Sequence, residues 1–567
     1  MTFLRSFITF LQKNTWLAAL LCALPVFVYG LVFSQIALNV NYVAFDDILI
    51  LGIIPGFEDA SWLERWQRLT DPFPEHRLIF SRSLVLLSYY VFGKVNLVSL
   101  MVIGNLCWAG CAAVFYAVFR RLRLSLWYFV PIVWLWFTIH SFENMFWGVS
   151  SLCNFGLLLF AMLAFYFATH RPRQLWASWL FALAATYTYG NGIAVFPVII
   201  FLLWVTGRRR EFFLTAGVAL LVGYVYFLGF PQKTDSLDFS DFQQVKEGLA
   251  GFFGFIGSIA ALDAYTTDPV PLGLAVVAGI AIVGLFLWLF RRDILPLFRS
   301  VLGKPLILSP AGQFALILMV FVAITSFAVI YKRIPLGGFE SLFKGRYRMY
   351  TALALVSLHF GALAWLVPSR RRRWGLVAVP LGIFLNLAIL YANFAGAVNN
   401  RRTAIVQEFN ARYNTDWLGV RMFDMDQAHY EKIRAYYQSA DPLAEGWNPN
   451  AATDQLACAG DYALDSLFPH SDEIHVYNSK EFIDAERDYT DGPYLLLKSD
   501  SHVYASPPNQ HALPFDTFLN MQRYFSRGFE GSFHQANVEP GRYRVYVLIR
   551  KNGRNAIYCT GREWEEK

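Results

Sequence analysis

The sequence predicts an all-α polytopic membrane protein of about eleven transmembrane helices, carrying a C-terminal mixed α/β domain outside the cytoplasm. Three observations predict it. The 567-residue chain is 56% hydrophobic and only 16% charged, whereas a soluble chain carries about a quarter charged residues. Apolar stretches long enough to cross a bilayer, which takes about 20 residues, recur through residues 1–398. The polar joints between them alternate between two kinds.

The first stretch, "WLAALLCALPVFVYGLVFSQIAL" from Trp16, is too long for a secretory h-region and has no small-residue cleavage site after it, so it reads as a retained span. One kind of joint is basic: Arg120, Arg121 and Arg123; Arg171 and Arg173; Arg208 to Arg210; Arg291 and Arg292; Arg370 to Arg373. The other kind is chemically varied: the Asp46–Asp47 region, "SFENMFWG" at 141, "YTYGNG" at 187, "FPQKTDSLDFSD" at 230 and "YKRIPLGGFESLFKGRYRMY" at 331. The positive-inside rule places the basic joints and the N-terminus in the cytoplasm, and the varied joints opposite. Spans then start near residues 16, 97, 126, 148, 174, 191, 212, 271, 311, 350 and 375. The Gly-rich stretch from Gly248 reads as an interfacial or re-entrant helix.

An odd span count leaves residues 399–567 outside the cytoplasm. This tail holds 18 basic and 24 acidic residues, although the whole chain is net +7. "AIVQEFNARYNTDWLG" and "AHYEKIRAYYQS" read as helices, and "GRYRVYVLIRKNGRNAIYC" as a β-hairpin turning at Asn552-Gly553. Cys22, Cys107, Cys111 and Cys153 lie in apolar segments as small hydrophobes. Cys458 and Cys559 lie in the tail and can pair if it faces an oxidising compartment.

The first outer loop, about 40–96, holds the densest chemistry. It contains Asp46 and Asp47, a surface helix "ASWLERWQRLTD" with Trp62 and Trp66 one turn apart, and then Glu75, His76, Arg77 and Arg82. Carboxylates at a bilayer edge are costly and tend to mark function. A carboxylate can take a proton from an attacking hydroxyl, and arginine holds phosphate bidentately. Together these suit displacement at a carbon bearing a lipid-linked phosphate. The structural alternative is that Asp46 is a helix N-cap and Asp47 a first-turn charge. "SLFKGRYRMY" places Lys344, Arg346, Tyr347 and Arg348 on the side where cations are disfavoured. An anion to bind explains them, as does snorkelling to lipid phosphates. Glu143 and Asn144, flanked by aromatics, suit a sugar ring or an ordinary aromatic belt. The sequence has no Walker loop, no HExxH and no paired CxxC.

The order and sidedness of these motifs resemble the GT-C superfamily of integral membrane glycosyltransferases. The features are "FDD" after an inside-to-outside first span, a long outer loop with a surface helix, "EHRLIFSRSLVLLSYYVFGKVNLVSLMVIGNL", an outer "ENMFW", and an outer "GRY" before a late span. The resemblance covers roughly residues 1–397. It implies a polyprenyl-phosphate-linked sugar donor and a cell-envelope acceptor, which would be a glycan, glycolipid or polysaccharide. Hexosyl or pentosyl transfer then occurs on the outer face of a bacterial inner (plasma) membrane, with inversion, and the tail is periplasmic. Asp46 or Asp47 would be the general base, with a slight preference for Asp46. Arg77 and Arg346 would hold the donor phosphate. Some branches of the superfamily require a divalent cation, Mg or Mn, and others do not. The Asp-Asp form departs from the Asp-Glu form of the protein O-mannosyltransferases, which disfavours a protein acceptor. A glycan polymerase or ligase using diphosphate-linked donors, a lipid-glycan flippase or transporter, and a non-catalytic scaffold are the alternatives. Because the charge clusters precede residue 350, the tail is expected to be dispensable for the chemical step.

Overall fold

The computed structural model describes residues 14–37, 47–73, 76–230, 236–301, 304–414, 432–470, 473–478, 489–521, 523–534 and 538–566. Asp46 and Glu75 lie outside the described residues, as do residues 428–431 of the second helix expected in the tail. In chain order the helices are α1 (Thr15–Ala37), α2 (Asp47–Leu51), α3 (Trp62–Thr70), α4 (Ile79–Phe92), α5 (Leu97–Arg120), α6 (Val130–Trp136), α7 (Phe142–Met145), α8 (Gly148–His170), α9 (Leu175–Thr186), α10 (Val195–Val205) and α11 (Arg209–Phe227). They continue with α12 (Phe242–Ile256), α13 (Pro269–Val301), α14 (Pro310–Gly337), α15 (Met349–Trp365), α16 (Pro368–Tyr413) and α17 (Phe515–Met521).

Seven helices among the described residues, α1, α5, α8, α11, α13, α14 and α16, are long and apolar enough to cross a membrane. The expected starts near 126, 174, 191 and 350 open shorter helices, the longest being the 17 residues of α15. At about 1.5 Å per residue, a helix of that length is at the short end of what a span takes, about 17–25 residues. In part this is because joints expected at the surface are drawn into the bundle. Phe142, Asn144 and Met145 are fully buried, so α6 stops below them. The stretch from Gly248 lies in α12, whose 15 residues are below spanning length. Glycine sets the closest approach there, since a Cβ on Gly279 would sit 1.8 Å from the Phe253 carbonyl.

The basic joints gather at one end of the bundle. Arg121 donates to the Tyr166 hydroxyl, and Arg208 to the carbonyl of Ala168. At the opposite end α16 runs on for 46 residues, into a domain of seven strands. β1 (Ser466–His470), β2 (Glu473–Asn478) and β5 (Phe529–His534) form one antiparallel sheet in the order β1-β2-β5. β3 (Gly492–Lys498), β4 (Val503–Ser506), β6 (Gly541–Lys551) and β7 (Arg554–Glu566) form the other, in the order β4-β3-β6-β7. The expected hairpin is β6–β7, turning on Asn552 and Gly553 at φ 51° and 75°, the left-handed pair that a two-residue hairpin requires. Cys458 and Cys559 form a disulfide.

The period-2 alternation of a strand joins this domain to the bundle. Tyr494 and Leu496 of β3 belong to the apolar core of the membrane helices, and Leu495 and Leu497 to the core between the sheets. Of the stretch "AIVQEFNARYNTDWLG", expected as a tail helix, residues 404–413 are the last part of α16, and 415–419 lie outside the described residues. That part of α16 is buried because its polar side chains serve the sheet. Asn410 accepts from the Ala505 amide at 2.8 Å and donates to the Ala505 carbonyl at 2.9 Å, pairing with β4 as a strand would.

Candidate functional site

Asp47 begins α2 and is fully buried. Its Oδ1 accepts from the Trp147 indole N–H at 3.0 Å and the Val149 amide at 2.9 Å. Val149 is in the first turn of α8, where amides lack intrahelical partners. Asp47 therefore caps α8 from a distant part of the chain, and the negative charge suits the positive helix end.

The motif "SFENMFWG" meets "GRY" directly, a pairing that the spacing alone did not reveal. Glu143 Oε2 accepts from the Arg346 amide at 2.9 Å, and its Oε1 lies 3.4 Å from Arg346 Nη1. Asn144 donates to the Arg346 carbonyl at 2.9 Å, while its Oδ1 accepts from Ser150 and Asn154. The 3-10 turn Gly345–Tyr347 is thus clamped on α7 and α8. Lys344 is exposed beside it.

The other candidate arginines are held by main-chain oxygens. Arg77 donates to the carbonyls of Thr70, Tyr226 and Leu228. Arg82 donates to those of Leu69 and Asp71. Arg348, 1% exposed, donates to carbonyls of Phe343, Ser258, Ala261, Asp263 and Ala264. A guanidinium has five N–H donors and no acceptor, so one arginine can tie several loop ends together. Arg77 fixes the end of α11 to the first loop, and Arg348 fixes 258–264 to the start of α15.

Between α8, α10, α11 and α14 lies a cavity of about 490 Å³, within the usual range of roughly 300–1,000 Å³ for ligand sites. His76, its ring 4.3 Å from that of Tyr189 and tilted at 52° to it, lines it with Asn154, Asn191, Thr325, Lys332, Arg333, Tyr347 and Tyr350. Arg333 donates to the Tyr347 hydroxyl at 3.1 Å. One atom there stands out. Asn191 Oδ1 has no hydrogen-bond partner among the described residues. A buried polar group without a partner costs about 1–3 kcal/mol, a cost that a polar ligand would remove.

On the far side of Tyr226 and Phe227 runs an apolar groove of about 870 Å³. Its walls include Leu63 and Trp66 of α3, Leu180 and Leu183 of α9, and Val225 and Leu228. Arg77 borders this groove, and its sequence neighbour His76 borders the cavity. The structure therefore brings His76 and Tyr347 together, with Arg77 at the shared wall. It places Arg82 and Arg348 in internal braces and Glu143, Asn144 and Arg346 in the clamp. Lys332, Arg333, Asn191, Tyr226 and Tyr350 were not singled out from the sequence. Lys332 and Arg333 carry the same signal as Arg346, cations in a varied joint, but they lie inside α14, ahead of its last turn.

Among the described residues, no group of three or more His, Cys, Asp or Glu side chains is placed to hold a metal ion. Comparison with known protein families, curated proteins and solved structures finds no match.

Proposed function

We propose that the chain is a membrane glycosyltransferase that moves a hexosyl or pentosyl unit from a polyprenyl-phosphate donor to a cell-envelope acceptor. The observation that carries this reading is the pairing of a polar cavity with an apolar groove across one wall. The groove suits a prenyl chain. The cavity offers Lys332 and Arg333 to a phosphate, and the unpartnered Asn191 oxygen to a sugar hydroxyl. In this reading Arg77 borders the groove, Arg346 stays in its clamp with Glu143, and the phosphate falls to Lys332 and Arg333. Asp46 takes the proton of the acceptor hydroxyl as it attacks the anomeric carbon. The phosphate leaves with the bonding electron pair, inverting that carbon.

The Cys458–Cys559 disulfide supports an oxidising compartment for the sheet domain. It agrees with the charge asymmetry of the joints, which supports a position outside the cytoplasm for that domain. Tyr477→Cys, at a residue 46% exposed on β2, should react with a membrane-impermeant maleimide in intact cells. Reaction only after lysis would reverse the orientation.

The test of function is transfer by the purified protein in nanodiscs, supplied with a panel of polyprenyl-phosphate sugars. Arg333→Ala and Lys332→Ala should each weaken donor binding roughly tenfold to a hundredfold, since a charge-assisted bond contributes about 1.5–3 kcal/mol and about 1.4 kcal/mol is a factor of ten. Unchanged affinity in both variants removes the phosphate from this cavity. Binding of diphosphate-linked glycans alone selects the polymerase or ligase reading.

A further inference from the structure

The lipid-facing side of α16 shows a regular pattern. Val377, Leu381, Phe384 and Leu387 are 50–64% exposed and recur at helical spacing. One more turn brings Tyr391, where the pattern changes hands. The loop around α17 is stapled there: the Tyr391 hydroxyl donates to the Leu513 carbonyl, and the Tyr524 hydroxyl donates to the Tyr391 carbonyl at 2.6 Å. The rings of Phe515 and Phe518 pack on Tyr391 at 5.3 and 5.4 Å. Beyond them, Phe515 and Leu519 of α17 turn outward, 59% and 61% exposed.

We infer that α17 is an interfacial wedge by which the sheet domain sits on the bilayer, with Phe515 and Leu519 inserted at the headgroup–acyl boundary. The stripe from Val377 to Leu387 needs lipid to cover it if α16 spans a membrane. α17 takes over that stripe with two further large apolar side chains at i and i+4. Tyrosine, here Tyr391 beneath them, is enriched at this level of a membrane protein. An apolar helix face held in the interface plane buries about 5–10 Å into the headgroup region. α17 is held by bonds to the helix rather than tethered by a loop, so its depth is fixed by α16. The domain thereby gains a third point of support besides α16 and the first loop. This inference rests on the membrane reading and is independent of the enzymatic one.

The experiment places an environment-sensitive NBD label on Leu519→Cys in the full chain in nanodiscs, with the unsubstituted chain as the blank for native cysteines. Leu387→Cys serves as the lipid-exposed reference and Phe468→Cys, 44% exposed on β1, as the aqueous one. The label at 519 should emit at shorter wavelength than that at 468. It should be quenched more by lipids carrying a nitroxide near the headgroup than by those carrying it at the bilayer centre. Water-like, unquenched emission at 519 with quenching at 387 overturns the wedge and leaves the membrane reading standing. Absence of quenching at both positions overturns both. A short-wavelength, unquenched label that reverts to water-like emission on dilution into empty nanodiscs assigns the face to a second copy of this chain, and also overturns the wedge.

Discussion

Two adjacent aspartates follow the first span, and the second of them is committed to holding the fold. Asp47 spends Oδ1 on two donors, the Trp147 indole and the Val149 amide, with no exposure to solvent. Truncation to alanine leaves both donors without that acceptor, each at about 1–3 kcal/mol when buried. Asp47→Ala should therefore lower the unfolding midpoint of the purified protein markedly. Asp47→Asn keeps an acceptor oxygen and should lower it less. Asp46→Asn should leave the midpoint in place and reduce sugar transfer by a hundredfold to ten-thousandfold, the usual range for loss of a general base. Equal turnover in the wild type and Asp46→Asn would remove Asp46 from the reaction. The cap weighed for Asp46 lies outside the described residues, whereas Asp47 stands in the first turn of α2, as the structural alternative has it, and in addition caps α8 from a distance. No pattern in residues 41–51 foretells that, because the capped helix begins a hundred residues later.

At the scale of elements, what was legible followed local periodicity and turn chemistry. The surface helix α3 is there with a capping box, Ser61 and Glu64 bonding reciprocally. That carboxyl is held below its usual range by the Ser61 backbone and side-chain bonds. The cap is accordingly intact above the usual carboxylate pKa and is lost as pH falls through the lowered one. The Asn-Gly hairpin was equally plain. What stayed hidden were meetings between distant joints, such as Glu143 with Arg346 and Arg77 with the end of α11. Hydropathy counted apolar length and so read the buried "SFENMFWG" as a surface loop. The clamp makes its own prediction. Glu143→Ala leaves a largely buried Arg346 without its carboxylate and should cost more stability in chemical unfolding than Glu143→Gln, which still accepts from the Arg346 amide. Equal midpoints for the two variants would mean that the clamp is not what holds the 345–347 turn.

Across the whole molecule, the carboxylate and arginine clusters before residue 350 suggested a tail that the chemical step could do without, and the packing ties that tail to the first loop. Residues 432–438 return to the first loop. Ile433 and Tyr437, at most 1% exposed, share one apolar core with Ile48, Ile50, Leu51, Ile53, Ile54 and Phe57. The Val95 amide donates to the Tyr436 carbonyl at 2.8 Å, and the Gln438 amide to the Val95 carbonyl at 3.0 Å. The tail is thus a wall of the loop that carries both aspartates. Truncation after Tyr413 would strip the cover from α2 and should abolish transfer, even with a small soluble acceptor, while α8 to α15 remain folded. A milder change isolates the cause. Ile433→Ala opens a cavity against α2, and burial of this kind costs about 2–5 kcal/mol locally. Hydrogen exchange at residues 47–57 should rise in that variant while exchange in the β6–β7 hairpin does not. If 47–57 stay protected and transfer persists in the truncated chain, the tail serves the acceptor alone, and the loop holds its own shape.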